Sequence, residues 1–192
     1  MKLTTLAGAV SAAALLAAAP AAFADHHGGM HAQTVTVGGA PMYPTKTIVE
    51  NAVNSPIHTT LVAAVTAAGL VETLSGPGPF TVFAPTDEAF AALPAGTVET
   101  LVRPENKATL TKILTYHVVA GRVTAADVIG LIEQGGGSAA ITTVSGDTLT
   151  ASLDGSTVVL TDEKGGTARV TQADVLQSNG VIHVTDAVSL PN

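Results

Sequence analysis

Apolar positions change their period along this chain, and the change divides it in two. From residue 43 to about residue 134 they recur at three- and four-residue steps, as on a helix laid against a core. Beyond Gly135-Gly136-Gly137 they come in short β-branched runs separated by turn residues. Residues 47–53 place Ile48, Val49 and Val53 at helical spacing. Pro56 is expected to open a second helix with Ser55 as its N-cap, a stripe of Ile57, Leu61, Val62, Val65 and Ala68, and Gly69 as its left-handed stop. Gly76-Pro77-Gly78-Pro79 sets a turn before an alternating, half-buried strand over 80–84 that Pro85 ends. Thr86 is positioned to cap the next helix, Asp87 and Glu88 suit its positive end, and Ala89 and Phe90 face the core. Residues 97–102, 104–115 and 124–132 read as further helices. The second has Pro104 in its first turn and Leu110, Ile113 and Leu114 inward; the third has Thr124 and Asp127 at capping-box spacing. The late runs 139–144, 147–153, 156–162, 167–172, 173–178 and 180–186 read as strands of an antiparallel sheet, with Asp154-Gly155 and Gly165-Gly166 as hairpin signals. Helices early and strands late indicate an α+β domain.

The first residues follow another logic. Lys2, an apolar run from Leu3 to Ala19 and the small-residue site Ala22-Phe23-Ala24 read as a secretory signal over residues 1–24. Its apolar run is broken by Thr4, Thr5, Gly8 and Ser11, which argues against a membrane anchor. Residues 25–42, rich in Gly and His, read as a flexible tail without the apolar content to build a core, and 43–192 as the folded domain. No later run is long enough to span a bilayer, so a soluble product, secreted or periplasmic, is expected. With no cysteine, neither a disulfide nor a lipid thioether is available, and packing alone must stabilise the exported domain. The formal charge is −7, and loss of Lys2 with the leader makes the mature chain one unit more negative. The few Lys and Arg residues are scattered, which excludes a basic track for nucleic acid.

Two segments then acquire a further meaning. FTVFAPTDEAF at 80–90 and NGVIHVTDAVSLP at 179–191, with TYHVV at 115–119 between them, resemble in order the signature segments of the fasciclin domain family. The resemblance covers nearly all of 43–191. It implies a wedge-shaped β-sandwich with helices packed on it, and an exported, noncatalytic adhesion or interaction module that meets a cell-surface or matrix protein. Carried over by position, it makes Tyr116 and His117, with the aliphatic residues beside them, the positions for partner contact. A packing role for the same pair, with the Tyr116 hydroxyl on a carbonyl, is the competing reading from the residues alone.

Other chemistry is sparse. Cleavage after Ala24 exposes Asp25-His26-His27, where the free amine, two backbone amides and the His27 ring form a square-planar set of nitrogens suited to Cu(II) or Ni(II), with His26 and His31 as added ligands. A periplasmic copper or nickel protein is therefore the alternative function. His117, His183 and Asp186 are two histidines and a carboxylate, but they lack any metal-binding spacing, and His58 reads as a surface histidine. No Gly-x-Ser-x-Gly elbow and no phosphate-cradling loop occurs, nor does the spacing of Asp87, Glu88, Asp127 and Asp174 favour an acid–base pair. No enzyme activity and no cofactor is expected. A binder of small apolar ligands would need a groove that the sequence neither shows nor forbids.

Overall fold

In the structure, a computed structural model that describes residues 34–192, the two signature segments lie side by side. Strand β3 (Phe80–Pro85) pairs in parallel with the last strand, β9 (Gly180–Thr185), from Phe80 opposite Gly180 to Pro85 opposite Thr185. A parallel pair needs a long crossover, and here the crossover is most of the domain. The sheet predicted as antiparallel is thus mixed. On its other side β3 pairs with β4 (Val118–Ala120), while β9 pairs with β8 (Thr167–Gln177). The series continues through β7 (Thr157–Thr161), β6 (Thr148–Asp154) and β5 (Ser138–Thr142), giving the order β4-β3-β9-β8-β7-β6-β5. Val144 N–H donates to Val118 O at 2.7 Å, so the two ends of the series approach and the sheet nearly closes. The α+β architecture is therefore one continuous run of seven strands bent on itself.

Helices cover one side of this sheet: α1 (Ile48–Ala52), α2 (Thr59–Ala68), α3 (Val71–Ser75), α4 (Asp87–Ala91), α5 (Thr97–Leu101) and α6 (Lys107–Tyr116). A seventh, α7 (Ala125–Gln134), packs on β5 and β6. The expected caps form locally. Thr86 Oγ1 accepts from Ala89 N–H, and Thr124 with Asp127 makes a complete capping box. Thr47 and Glu50 make another at α1.

Several expectations are corrected. Helix α2 starts at Thr59 and not at Pro56, and Ser55 is not its cap; its first amides are taken by a side chain from α4. Asp87 accepts from Thr59 N–H at 3.2 Å and Thr60 N–H at 2.7 Å, and from the Thr59 hydroxyl at 2.7 Å. Burial alone would raise this carboxyl, but those bonds prevail and hold it below the usual carboxylate range. Residues 104–106 form a 3-10 turn ahead of α6. The two runs 167–172 and 173–178 are one strand, β8, interrupted by register shifts around Asp174, whose φ is 57°. Strand β3 is buried from Thr81 to Pro85, not half-buried, because both faces are covered. The tail expected over 25–42 gives way near its end to a hairpin, β1 (Val35–Val37) and β2 (Ala40–Met42), which buries Val37 and Met42.

These elements enclose two cores that share β3 and β9. Val82, Ala84, Ile182 and Val184 point into a helical core with Leu61, Val65, Phe90, Leu110 and Leu114. Phe83 points the other way, into a barrel core of Tyr116, Val128, Ile132, Leu149, Ala151 and Leu160.

Candidate functional site

Tyr116 and His117 stand at the junction of α6 and β4, where helical periodicity hands over to strand alternation and adjacent side chains diverge. Tyr116 enters the barrel core and has no exposed surface. Its hydroxyl donates to Thr148 O at 2.9 Å and accepts from Glu163 N–H at 3.3 Å. Burial, reinforced by the Glu163, Asp162 and Asp147 charges, pushes the phenol up to about 12 despite the Glu163 amide. It stays protonated, as its donor role requires.

His117 turns toward the helical core and is 3% exposed. Its Nδ1 lies 2.8 Å from Ile113 O, and its Nε2 accepts from Ser189 N–H at 3.1 Å. The amide of Ser189 can only donate, so Nε2 carries no proton and Nδ1–H donates to Ile113 O. Burial lowers the His117 pKa, outweighing the Ile113 carbonyl and the Asp162 charge. The imidazole is a neutral clasp that holds the C-terminal segment against α6. Asp162 completes the clasp by accepting from Leu190 N–H at 2.8 Å while it binds the amides of Lys164 and Gly166 in its own turn. Both rings of the Tyr116-His117 pair are buried, and every side-chain polar atom of the pair is bonded to backbone, as the packing reading expects.

His183 repeats the arrangement on β9. Its Nδ1 accepts from Asp174 N–H at 3.3 Å, its Nε2–H donates to Val123 O at 2.9 Å, and its ring stacks on Phe83 with centroids 5.5 Å apart. Burial lowers its pKa against the pull of the Val123 carbonyl and Asp174. Asp174 in turn caps α7 through Ala125 N–H at 2.8 Å. His183 therefore meets neither His117 nor Asp186, which accepts from Arg169 N–H at 2.7 Å. Among the described residues no group of three His, Asp or Glu side chains is placed to hold a metal ion. Asp87, Asp127 and Asp174 are spent on three separate caps and do not converge. Asp25, His26, His27 and His31 lie outside the described residues.

Three roles went unread in the sequence. Asn179, the first residue of the late signature, accepts from Ile48 N–H at 2.9 Å and donates to Leu74 O and Gly76 O, binding two early segments, the start of α1 and the end of α3, to the β8–β9 turn. Gly180 is required beside it, because a Cβ there would stand 2.0 Å from Phe80 O. Asn51 donates to Tyr43 O at 2.7 Å and to Gln177 Oε1. The Asn-Gly pair after a β run was a visible turn signal; the early partners were not. His58, expected at the surface, is 3% exposed; Ser55 Oγ lies 2.7 Å from its Nδ1, and its Nε2 has no partner. Burial lowers its pKa, against the Asp87 charge and the Ala84 backbone, which lies near the ring but outside hydrogen-bond geometry.

Comparison with known proteins agrees with this construction. A family model described as Fasciclin domain matches residues 56–191. Protein sll1483 of Synechocystis is 51% identical over 159 residues, which cover 83% of this chain and 81% of that protein. Immunogenic protein MPB70 of Mycobacterium bovis is 37% identical over 143 residues, covering 72% of this chain and 65% of that one. Among solved structures, a FAS1 domain pair from the insect cell adhesion molecule fasciclin I superposes with a TM-score of 0.68 at 18% identity, covering 81% of this chain and 57% of that one.

Proposed function

Because this chain belongs to the fasciclin domain family, we propose that it is an exported, noncatalytic interaction module that binds a cell-surface or matrix protein. The observation that carries the reading is how three of the four buried histidine and tyrosine rings, together with the half-buried Asp174, are used. His117, His183, Tyr116 and Asp174 all hold backbone, in the manner of a rigid support that presents a surface. The fold likeness to a cell adhesion molecule points the same way. Tyr116 and His117 enter as supports of that surface. No described helix is long and apolar enough to cross a membrane, and residues 1–24 act in this reading as the export signal. The test is attachment of the producing cells to surfaces coated with the purified mature protein. Attachment well above an albumin coat, lost on heat denaturation, is expected; attachment no better than albumin sinks the reading.

The copper or nickel reading rests on the sequence Asp25-His26-His27 alone. N-terminal sequencing of the exported protein followed by Cu(II) titration decides it. A square-planar spectrum that His27→Ala abolishes supports that function, and any other N-terminus removes it.

A further inference from the structure

The helical core is not full. Between α1, α2, α3 and the face of β3 lies a space of about 120 Å³, walled almost wholly by aliphatic side chains. Its outer rim carries Val49, Val53, Val62 and Thr66, and Val53 is 60% exposed. An apolar cavity of about 150 Å³ inside a protein stays dry and admits benzene, so a space of this size suits a short hydrocarbon better than water. A second space of about 20 Å³ lies further in and shares Ile48, Ala52, Leu61 and Val82 as wall with the first. His58 lines this inner space, and its Nε2 is the one buried side-chain polar atom without a partner among the described residues. The polar groups of the outer space are already satisfied: the Thr66 hydroxyl donates to Val62 O, and both His117 nitrogens are bonded.

A buried nitrogen left unpaired costs free energy that a ligand oxygen would recover. The Ser55 contact leaves open which His58 nitrogen carries the proton, and a hydroxyl answers either tautomer because it both donates and accepts. A carboxylate is excluded by its own desolvation and by the surrounding charge: the chain carries −7, and Glu50 and Glu72 follow the cavity residues Val49 and Val71 on α1 and α3.

We propose that this cavity is a binding site for a neutral aliphatic alcohol-type ligand, its hydrocarbon body in the outer space and its single oxygen on His58 Nε2. Such a ligand is a free small alcohol or the hydroxylated end of a longer lipid, and the shared chemistry is the same.

The test uses the mature full chain, methyl-labelled, titrated in turn with 1-hexanol, hexane and hexanoate and followed by NMR. Saturable shifts at the methyls of Ile48, Leu61 and Val65 are expected with 1-hexanol, at an affinity at least about tenfold above hexanoate. Val53→Trp, at the exposed rim, should leave the melting temperature unchanged and abolish the shifts. His58→Leu should weaken 1-hexanol about tenfold and leave hexane within about twofold. A longer probe, 1-dodecanol, separates the two sources: tighter binding than 1-hexanol identifies a lipid chain projecting through the mouth, and weaker binding a free small alcohol. Shifts that do not saturate, binding indifferent to Val53→Trp, hexanoate bound best, or a 1-hexanol affinity untouched by His58→Leu would each overturn the proposal.

Discussion

The helical core and the barrel core share β3 and β9 yet differ in how completely they are filled. The barrel side holds Tyr116, Leu149, Ala151 and Leu160 with essentially no exposure, and the space left beside Phe83 and His183 is about 10 Å³. The helical side keeps about 120 Å³ and an unpartnered imidazole nitrogen. Polar bonding differs at His58 alone among the described residues, since His117 on the helical side is bonded at both nitrogens. Tyr116 and His183 have every polar atom matched, whereas His58 is matched at one nitrogen only. The barrel is therefore the rigid partner, and the helical layer is where the fold tolerates change.

The largest effect should come from the residue that fills the barrel. Tyr116→Ala removes a fully buried ring and leaves Thr148 O and Glu163 N–H unpaired, at a cost of about 4 kcal/mol. Urea unfolding of the variant measures it, and binding to any partner should fail only as the fold fails. A variant of unchanged stability with lost attachment would make Tyr116 a contact and break the comparison.

The next effect is common to both cores and comes from pH. His58, His117 and His183 all have folded pKa values lowered by burial below the ordinary 6.5. Below about pH 6.5 the unfolded chain binds more protons than the folded one, so stability is fully present above that pH and falls as pH drops toward the folded values. The slope is at most about 1.4 kcal/mol per pH unit for each histidine. Denaturant midpoints between pH 7 and 5 should show it, and His58→Phe should make the slope shallower while costing about 1–3 kcal/mol at every pH, because it leaves the buried Ser55 hydroxyl without its partner. A flat profile would show that these rings titrate as freely as in the unfolded chain.

What the sequence disclosed and what it withheld divides along similar physical lines. The stripe Leu61, Val65, Ala68 and the caps at Thr86 and Thr124 were legible, because each depends on residues within a turn of one another. Asp87 was read as serving its own helix when it also caps α2, a partner 28 residues upstream that no local pattern reveals. His58 was read as exposed because it stands near the start of a helix, between Ile57 and Leu61, yet in the fold it is buried and lines an inner space with Val37 and Met42 of the hairpin. The hairpin at 35–42 was lost among glycines, since three-residue strands leave too short a period to recognise. For the site, the burial of Tyr116 with its hydroxyl on a carbonyl was legible from its place at a helix-to-strand junction, whereas an unfilled volume leaves no mark on a sequence at all.

The sharpest form of the comparison is a pair of one-step enlargements whose effects have opposite sign. Ala151→Val adds two methyl groups to a residue with no exposure in the filled barrel, where neighbours must leave their rotamers; a loss of about 2 kcal/mol is expected. Val65→Ile adds one methyl to a wall of the helical cavity, where space already exists, and should raise stability by about 0.7 kcal/mol, the smallest effect of the set. Thermal unfolding of both variants under one condition resolves the signs. The same methyl occupies volume that 1-hexanol would use, so Val65→Ile should weaken that ligand as it strengthens the fold. A destabilised Val65→Ile would mean that the helical core closes over its space in solution, and the difference between the two cores would then be one of bonding alone.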